Sequence, residues 1–234
     1  MFTRRAVLTG LSGLALSACA HRSGADALRI PAASARRRIE DLVYSAMVPA
    51  AGLVVRYRGE VVFAHAEGLA QGAAGEADRA PFTPETAFCA AALSPLAAAP
   101  HDPRFAPRGP AATLYTREDE GLWQVQTEAG ECAGASFLGL ASLARAAGRT
   151  SDLPGVQTYQ ADTSPIPGVK LIGRQGEAYG SYSAAFHAPD LEAEIAFAVT
   201  GTSVSGTERS VHHPVMIKAT EPLWAAAETL LAAL

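Results

Sequence analysis

Three strand-like segments follow one another near the end of the chain, and they constrain the fold more than any other feature. The segments are Val169–Arg174, Gly180–His187 and Glu192–Thr200. Turn residues separate them, and His187-Ala188-Pro189-Asp190 is the clearest of these turns. Because consecutive strands joined by short turns pair with each other, this region predicts an antiparallel meander.

One helix is predicted near the beginning of the chain and another after the three strands. Ser34 caps a predicted helix that runs to about Met47, and Thr220 caps a closing helix that has Pro222 in its first turn. Between them, Gly52–Tyr57 and Glu60–Ala66 read as a hairpin joined at Arg58-Gly59. The middle is irregular, with a loop over residues 67–86, a strand over 122–127 and a helix over 137–147. This order predicts an α+β fold, an antiparallel sheet flanked by N- and C-terminal helices.

The N-terminus has the pattern of a bacterial lipoprotein signal. Arg4 and Arg5 precede an uncharged run over residues 6–18, which is too short to cross a bilayer core of roughly 30 Å. The run ends in Leu16-Ser17-Ala18-Cys19, which resembles a lipobox. We therefore expect residues 1–18 to be a removable signal peptide, Cys19 to be the lipid attachment site, residues 19–32 to be a tether and residues 33–234 to be one domain. The arginine pair fits twin-arginine export as well as the general secretory route.

Export would place the mature protein at the periplasmic face of the cell envelope, anchored to the membrane by its lipid. Ala20 after the lipidated cysteine slightly favours the outer membrane over the inner one. In this oxidising compartment Cys89 and Cys132 either form a disulfide or lie apart as two small buried residues.

Charge and motif content exclude several other functions. Without the first eighteen residues, 17 basic residues stand against 23 acidic ones, which gives a net charge of −6 and argues against nucleic-acid binding. His212 and His213 are adjacent and would point to opposite faces of a strand, and no His-Glu-x-x-His or Cys-x-x-Cys motif occurs. We expect neither a metal nor a cofactor.

Three stretches of the sequence resemble the β-lactamase-related serine hydrolases, the group of class C β-lactamases, DD-peptidases and related esterases. Residues 48–68 are similar to the first hairpin of that family, residues 82–88 to the segment before its nucleophile helix, and residues 173–201 to its Gly-His-Thr-Gly strand and the two strands that follow. The resemblance implies a β-lactamase/transpeptidase-like fold. The large helical lobe of the family is much reduced here, so the chain resembles a truncated member.

The catalytic residues that the resemblance implies are missing. The family nucleophile is the serine of Ser-x-x-Lys, and Ala92 stands at that place here, with Pro95 near the lysine position. Residues three positions before Lys170 and Lys218, the two lysines of the chain, are proline and valine, so the motif occurs nowhere. The chain also has no asparagine for the second family motif. These absences predict an inactive site.

The third family motif survives in altered form as Arg174, Gln175 and Gly176. Arg174 can pair with a carboxylate, Gln175 can hydrogen-bond, and Gly176 lets a ligand approach the strand. We therefore predict a pseudoenzyme that binds a cell-wall fragment, a small carboxylate-bearing ligand or a protein partner. The alternative is a weak esterase or peptidase with a rearranged site, for which Ser94 is the residual nucleophile candidate.

Overall fold

In a computed structural model, the described residues are 24–45, 48–90, 93, 96, 111–117, 123–125, 137–152, 155–178, 180–202 and 217–234. They contain three α-helices, α1 (Gly24–Tyr44), α2 (Leu140–Ala146) and α3 (Glu221–Leu231). Within these ranges no helix combines the length and the apolar composition needed to cross a bilayer.

A seven-stranded sheet forms the centre of the fold, and every neighbouring pair that it contains is antiparallel. Its strands run in the spatial order β3-β2-β1-β11-β10-β9-β8, which correspond to Ala80–Pro81, Glu60–Gln71, Ala50–Tyr57, Ala193–Thr200, Ser181–Ala188, Leu171–Ala178 and Gln157–Tyr159. Two small antiparallel pairs accompany it, made by β4 (Phe88–Cys89) with β7 (Phe137–Leu138) and by β5 (Tyr115–Arg117) with β6 (Trp123–Val125). The predicted α+β class with an antiparallel sheet is confirmed.

Each face of the sheet is covered by helix, so the molecule has two hydrophobic cores. On one face α1 and α3 pack over Leu53, Phe197 and their neighbours, and the indole of Trp224 meets the ring of Phe197 edge-on with centroids 4.9 Å apart. On the other face α2 packs over Val54 and a row of small residues. We refer to these as the terminal-helix face and the α2 face. Since side chains alternate along a strand, each sheet residue belongs to one face or the other.

The first hairpin has the turn that the sequence predicts. Arg58 and Gly59 both have positive φ angles, 51° and 83°, which is the geometry of a type I′ turn and matches the twist of the strands. The turn is fastened to the β10–β11 connection, because the guanidinium Nε of Arg58 lies 2.6 Å from a carboxylate oxygen of Glu192. The three predicted strands of the meander are also confirmed as β9, β10 and β11, and α3 begins one residue after Thr220.

The first helix differs from its prediction. It begins at Gly24, ten residues before Ser34, and continues through Pro31 to Tyr44. The predicted start was wrong because Ser34, a typical cap residue, lies inside the helix, and Pro31 does not end it. Residues 24–32 of the predicted tether are helical, and Leu28 and Ala32 pack against the core of the terminal-helix face.

The irregular middle also differs in detail. Strand β2 extends to Gln71 into the predicted loop, and α2 begins at Leu140 after the short strand Phe137–Leu138 rather than at residue 137. Strand β8 was not predicted at all. It pairs with residues 171–173 of β9 and forms one edge of the sheet.

Gly173 offers a test of how tightly β9 and β10 approach each other. A Cβ atom on Gly173 would lie 2.1 Å from the carbonyl oxygen of Ala185, so we expect Gly173→Ala to lower the free energy of unfolding by about 1–3 kcal/mol or more. In the matched control, Gly148→Ala, the new methyl would meet only a carboxylate oxygen of Glu194 at 3.6 Å. Urea unfolding should show the control unchanged or stabilised by up to about 1 kcal/mol. Equal stability of the two variants would contradict the packing described here.

Candidate functional site

The three predicted binding residues lie on β9, but not on one face. Arg174 pairs with Ala185 and Gly176 pairs with Ser183, so both belong to the α2 face. Gln175 pairs with Ala184 and belongs to the terminal-helix face, where its buried Nε2 atom has no hydrogen-bond partner. The structure thus brings Arg174 and Gly176 together and separates Gln175 from them. The predicted strand ended at Arg174, whereas β9 continues to Ala178, and consecutive residues of a strand alternate between its faces.

Arg174 is the first residue of β9 beyond its pairing with the edge strand β8. Strand β8 pairs with residues 171–173, and β9 continues beyond it to Ala178. The half-buried guanidinium of Arg174 passes close to Gly155, on which a Cβ atom would be 3.7 Å from the guanidinium carbon. Gly155 has a φ of 72°, so a glycine suits both its conformation and the approach of the arginine.

Three buried hydroxyls lie on the same face beside these residues. They belong to Ser181 and Ser183 on β10 and to Thr200 on β11, and none of their oxygen atoms has a hydrogen-bond partner. Ser183 is directly opposite Gly176, and the alternation of the strands puts all three on the α2 face. We call them the hydroxyl patch. A buried hydroxyl without a partner costs about 1–3 kcal/mol. The Ser-x-Ser alternation on one predicted strand is the sequence signal for two of these hydroxyls.

The chain next to the expected nucleophile position is hydrophobic core. Cys89, Ala90, Leu93 and Leu96 are buried, and the last three belong to the apolar cluster under the α2 face. The amide of Leu93 donates to the carbonyl of Ala90 at 2.8 Å, and both Leu93 and Leu96 have 3₁₀-helical backbone. Ala92, Ser94 and Pro95 lie outside the described residues.

Cys89 takes part in a disulfide, and its partner cysteine lies outside the described residues. Cys19 and Cys132, the other two cysteines of the chain, both fall there. Cys89 is buried on β4, opposite Phe137 of β7. Of the two predicted alternatives for Cys89, the disulfide is the one observed. Its pairing with Cys132 stays a prediction.

An ion pair marks the far end of the α2 face. A guanidinium nitrogen of Arg56 lies 3.5 Å from a carboxylate oxygen of Glu194, which is its neighbour across β1 and β11. Burial raises the pKa of Glu194, and the charge of Arg56 acts in the opposite direction. This pair is largely buried and binds one part of the protein to another, so we do not include it in the candidate site.

A separate groove of about 740 Å³ lies on the other side of the molecule. It runs between α1, the tip of the first hairpin and the C-terminal residues, and it is lined mainly by apolar residues such as Leu28, Val61 and Val62. None of the predicted site residues contributes to it. The candidate site is therefore the α2 side of β9 and β10, where Arg174 is half-buried and the hydroxyls are buried, rather than this groove.

Comparison with known proteins supports the fold through structure rather than through sequence. No protein-family model and no curated protein sequence matches the chain. Among solved structures, D-amino acid amidase from Ochrobactrum anthropi SV3 matches 87% of this chain and 99% of its own, with a TM-score of 0.61 and 10% identity. The octameric penicillin-binding protein homologue from Pyrococcus abyssi matches 86% of this chain and 77% of its own, with a TM-score of 0.57 and 13% identity. A class C β-lactamase matches 88% of this chain and 96% of its own, with a TM-score of 0.50 and 9% identity.

These matches define the class of fold. The chain has a β-lactamase/transpeptidase-like fold, as the resemblance implied, and at such low identities the likeness extends to the fold alone.

The hydroxyl patch predicts an unusual response to an isosteric substitution. Replacing Thr200 with valine removes a buried hydroxyl that has no partner, so we expect the free energy of unfolding to rise by about 1 kcal/mol. The same substitution at Thr150 removes a buried hydroxyl that donates to the carbonyl of Ala147 at 2.7 Å, and should lower it by about 1–2 kcal/mol. Urea unfolding of both variants measures the difference. A Thr200→Val protein as destabilised as Thr150→Val would mean that Thr200 has a partner in the folded protein.

Proposed function

We propose that this protein is a lipid-anchored protein of the bacterial cell envelope that has lost acyl-transfer chemistry and binds a small carboxylate-bearing ligand, such as a cell-wall fragment. The observation that carries the proposal is the hydrophobic core beside the position where this fold would need a nucleophile. Leu93 and Leu96 are buried there, and no Ser-x-x-Lys exists in the chain.

Loss of catalysis follows from the interdependence of the missing groups. A serine hydroxyl is a weak nucleophile unless a neighbouring base takes its proton. Here the nucleophile position holds Ala92, no amine stands one helical turn from a serine in a Ser-x-x-Lys spacing, and no asparagine is present for the polar motif. Groups that act as one unit lose nearly all of their effect when any one is removed. Arg174 does not replace the base, since a guanidinium stays protonated.

Binding is supported by what remains at β9. Arg174 supplies a positive charge with a fork of donors that fits a carboxylate, and Gly176 has no side chain to block approach from the α2 face. Among the described residues no strand pairs with β9 beyond β8 on the side opposite β10, which would let an extended peptide pair with its backbone there. The hydroxyl patch adds donors and acceptors that have no partner in the protein. Polar groups that cost stability are typical of ligand sites.

Location in the envelope is supported by cysteine chemistry. The motif that ends at Cys19 fits lipid attachment, and the disulfide at Cys89 fits an oxidising compartment. If Cys19 carries the lipid, Cys132 is the remaining partner for Cys89.

Arg174 provides the direct test of ligand binding. We expect a cell-wall peptide with a free C-terminal carboxylate to bind the wild type, and Arg174→Ala to weaken its affinity about 10–150-fold, the equivalent of one charged hydrogen bond. Calorimetric titration measures this. The same peptide with a C-terminal amide should bind the wild type as weakly as the acid binds Arg174→Ala. Substitution of an exposed arginine elsewhere, Arg79→Ala, serves as the protein control.

Two results would contradict this proposal. One is equal affinity of wild type and Arg174→Ala for the acid peptide, and the other is equal affinity of the wild type for the acid and the amide.

The envelope location has its own test. Mass spectrometry of the protein from its native membrane should show an acylated N-terminal Cys19 and, without reduction, a peptide that joins Cys89 to Cys132. Cys19→Ser should release the protein from the membrane. A mature chain that keeps residues 1–18, or that lacks an acyl group at Cys19, would contradict this part of the proposal.

A further inference from the structure

Two carboxylates and an imidazole converge between α1 and β2, on the terminal-helix face of the sheet. A carboxylate oxygen of Glu40 on α1 lies 3.6 Å from Nε2 of His65 on β2, and a carboxylate oxygen of Glu67, two residues along the same strand, lies 3.9 Å from it. The donor atoms of these three side chains all lie within 4.8 Å of one another, and no other group in the described ranges meets this condition. The sequence analysis did not identify this cluster.

The imidazole nitrogen at the centre of this cluster has no hydrogen-bond partner. The Nε2 atom of His65 is buried, and its distances to both carboxylates are too long for hydrogen bonds. An imidazole nitrogen without a partner, close to two carboxylate oxygens, is a set of donor atoms that a metal ion can share.

We propose that Glu40, His65 and Glu67 form a zinc site that links α1 to β2. One nitrogen and two oxygen donors are a ligand set that zinc accepts, and three protein ligands leave a fourth position for water. At a metal–ligand distance of about 2.1 Å, tetrahedral ligands lie about 3.4 Å apart. The two distances to Nε2 of His65, 3.6 and 3.9 Å, exceed this value by a few tenths of an ångström, and all three donor atoms lie within 4.8 Å of one another, so the carboxylates would close in on a bound ion.

Two neighbouring side chains affect the site in opposite ways: one orients a carboxylate, and the other repels the charge of the ion. The hydroxyl of Tyr44 donates to the second oxygen of Glu67 at 3.2 Å, which orients that carboxylate as outer-shell partners of metal sites do. Arg36 acts in the other direction, because its charge is close enough to affect His65. Arg36→Gln should therefore bind zinc more tightly than the wild type.

The test is zinc titration of the purified full chain after removal of metals with a chelator. Competition with a chromophoric chelator should give one equivalent bound, and His65→Gln should lose affinity by more than the roughly 10–100-fold typical of outer-shell changes. Tyr44→Phe should lose about 10-fold. His187→Gln, which removes a histidine of β10 on the opposite face, is the matched control and should bind as the wild type does.

Stability and spectroscopy make the result independent of any activity. Free zinc at about 100 times its Kd should raise the Tm of the wild type by roughly 5–10 °C, whereas Mg²⁺ and Ca²⁺, which prefer all-oxygen sites, should not. Cobalt in place of zinc should give visible absorption bands in the wild type that His65→Gln lacks. Circular dichroism without metal verifies that each variant is folded, and Glu67→Gln replaces His65→Gln if the latter is not. Failure of the wild type to bind zinc, or equal binding by wild type and the ligand variant, would overturn the proposal.

Discussion

Strict alternation along the central strands is the constraint on which the rest of this structure depends. Because β1, β11 and β10 contribute to apolar clusters on both faces, each of their residues must suit one of two cores. Odd-numbered residues of β11 such as Phe197 meet α3, and even-numbered ones such as Ala198 lie under α2. A slip of one residue in register would exchange the two sets. The same rule places Arg174 beside Gly176 and sends Gln175 to the opposite side.

The two faces differ in character, and the difference bears on function. The terminal-helix face is filled by large side chains, including Trp224, Phe186 and Phe197. The α2 face is lined by alanines and carries the hydroxyl patch, Arg174 and the ion pair of Arg56 with Glu194. In the function proposed above, polar groups of the second face serve binding, while Leu93 and Leu96, beside the expected nucleophile position, belong to the core. The apolar part of the α2 face then stabilises the fold, and its polar part binds the ligand.

Much of the fold could be predicted from the sequence because its signals are local. The Arg58-Gly59 turn, the three strands of the meander and the closing helix at Thr220 each carry their own turn or cap residues. Strand β8 is three residues long and pairs with β9, so it is too short for a periodic sequence pattern to predict it. The first helix continues through Pro31 because Leu28 and Ala32 pack on the core, which is a tertiary effect that local rules miss.

The site was predicted less completely than the fold, for physical reasons. The motif Arg174-Gln175-Gly176 identified the correct strand, but only the pairing with β10 shows which face each of its members occupies. The hydroxyls of Ser181 and Ser183 looked like ordinary strand residues until their lack of partners was visible. His65 and Glu67 alternate on a predicted strand, yet Glu40 joins them only when α1 packs on the sheet. Such groups depend on contacts between distant parts of the chain.

The central claim is that this fold is present without its covalent chemistry. The most direct measurement is intact mass after incubation with a labelled penicillin and, separately, with a fluorophosphonate, with a class C β-lactamase as the positive control. The account predicts no covalent adduct on any serine of this protein while the control is labelled. A covalent adduct on a serine of this protein, with Ser94 as the first candidate, would contradict it.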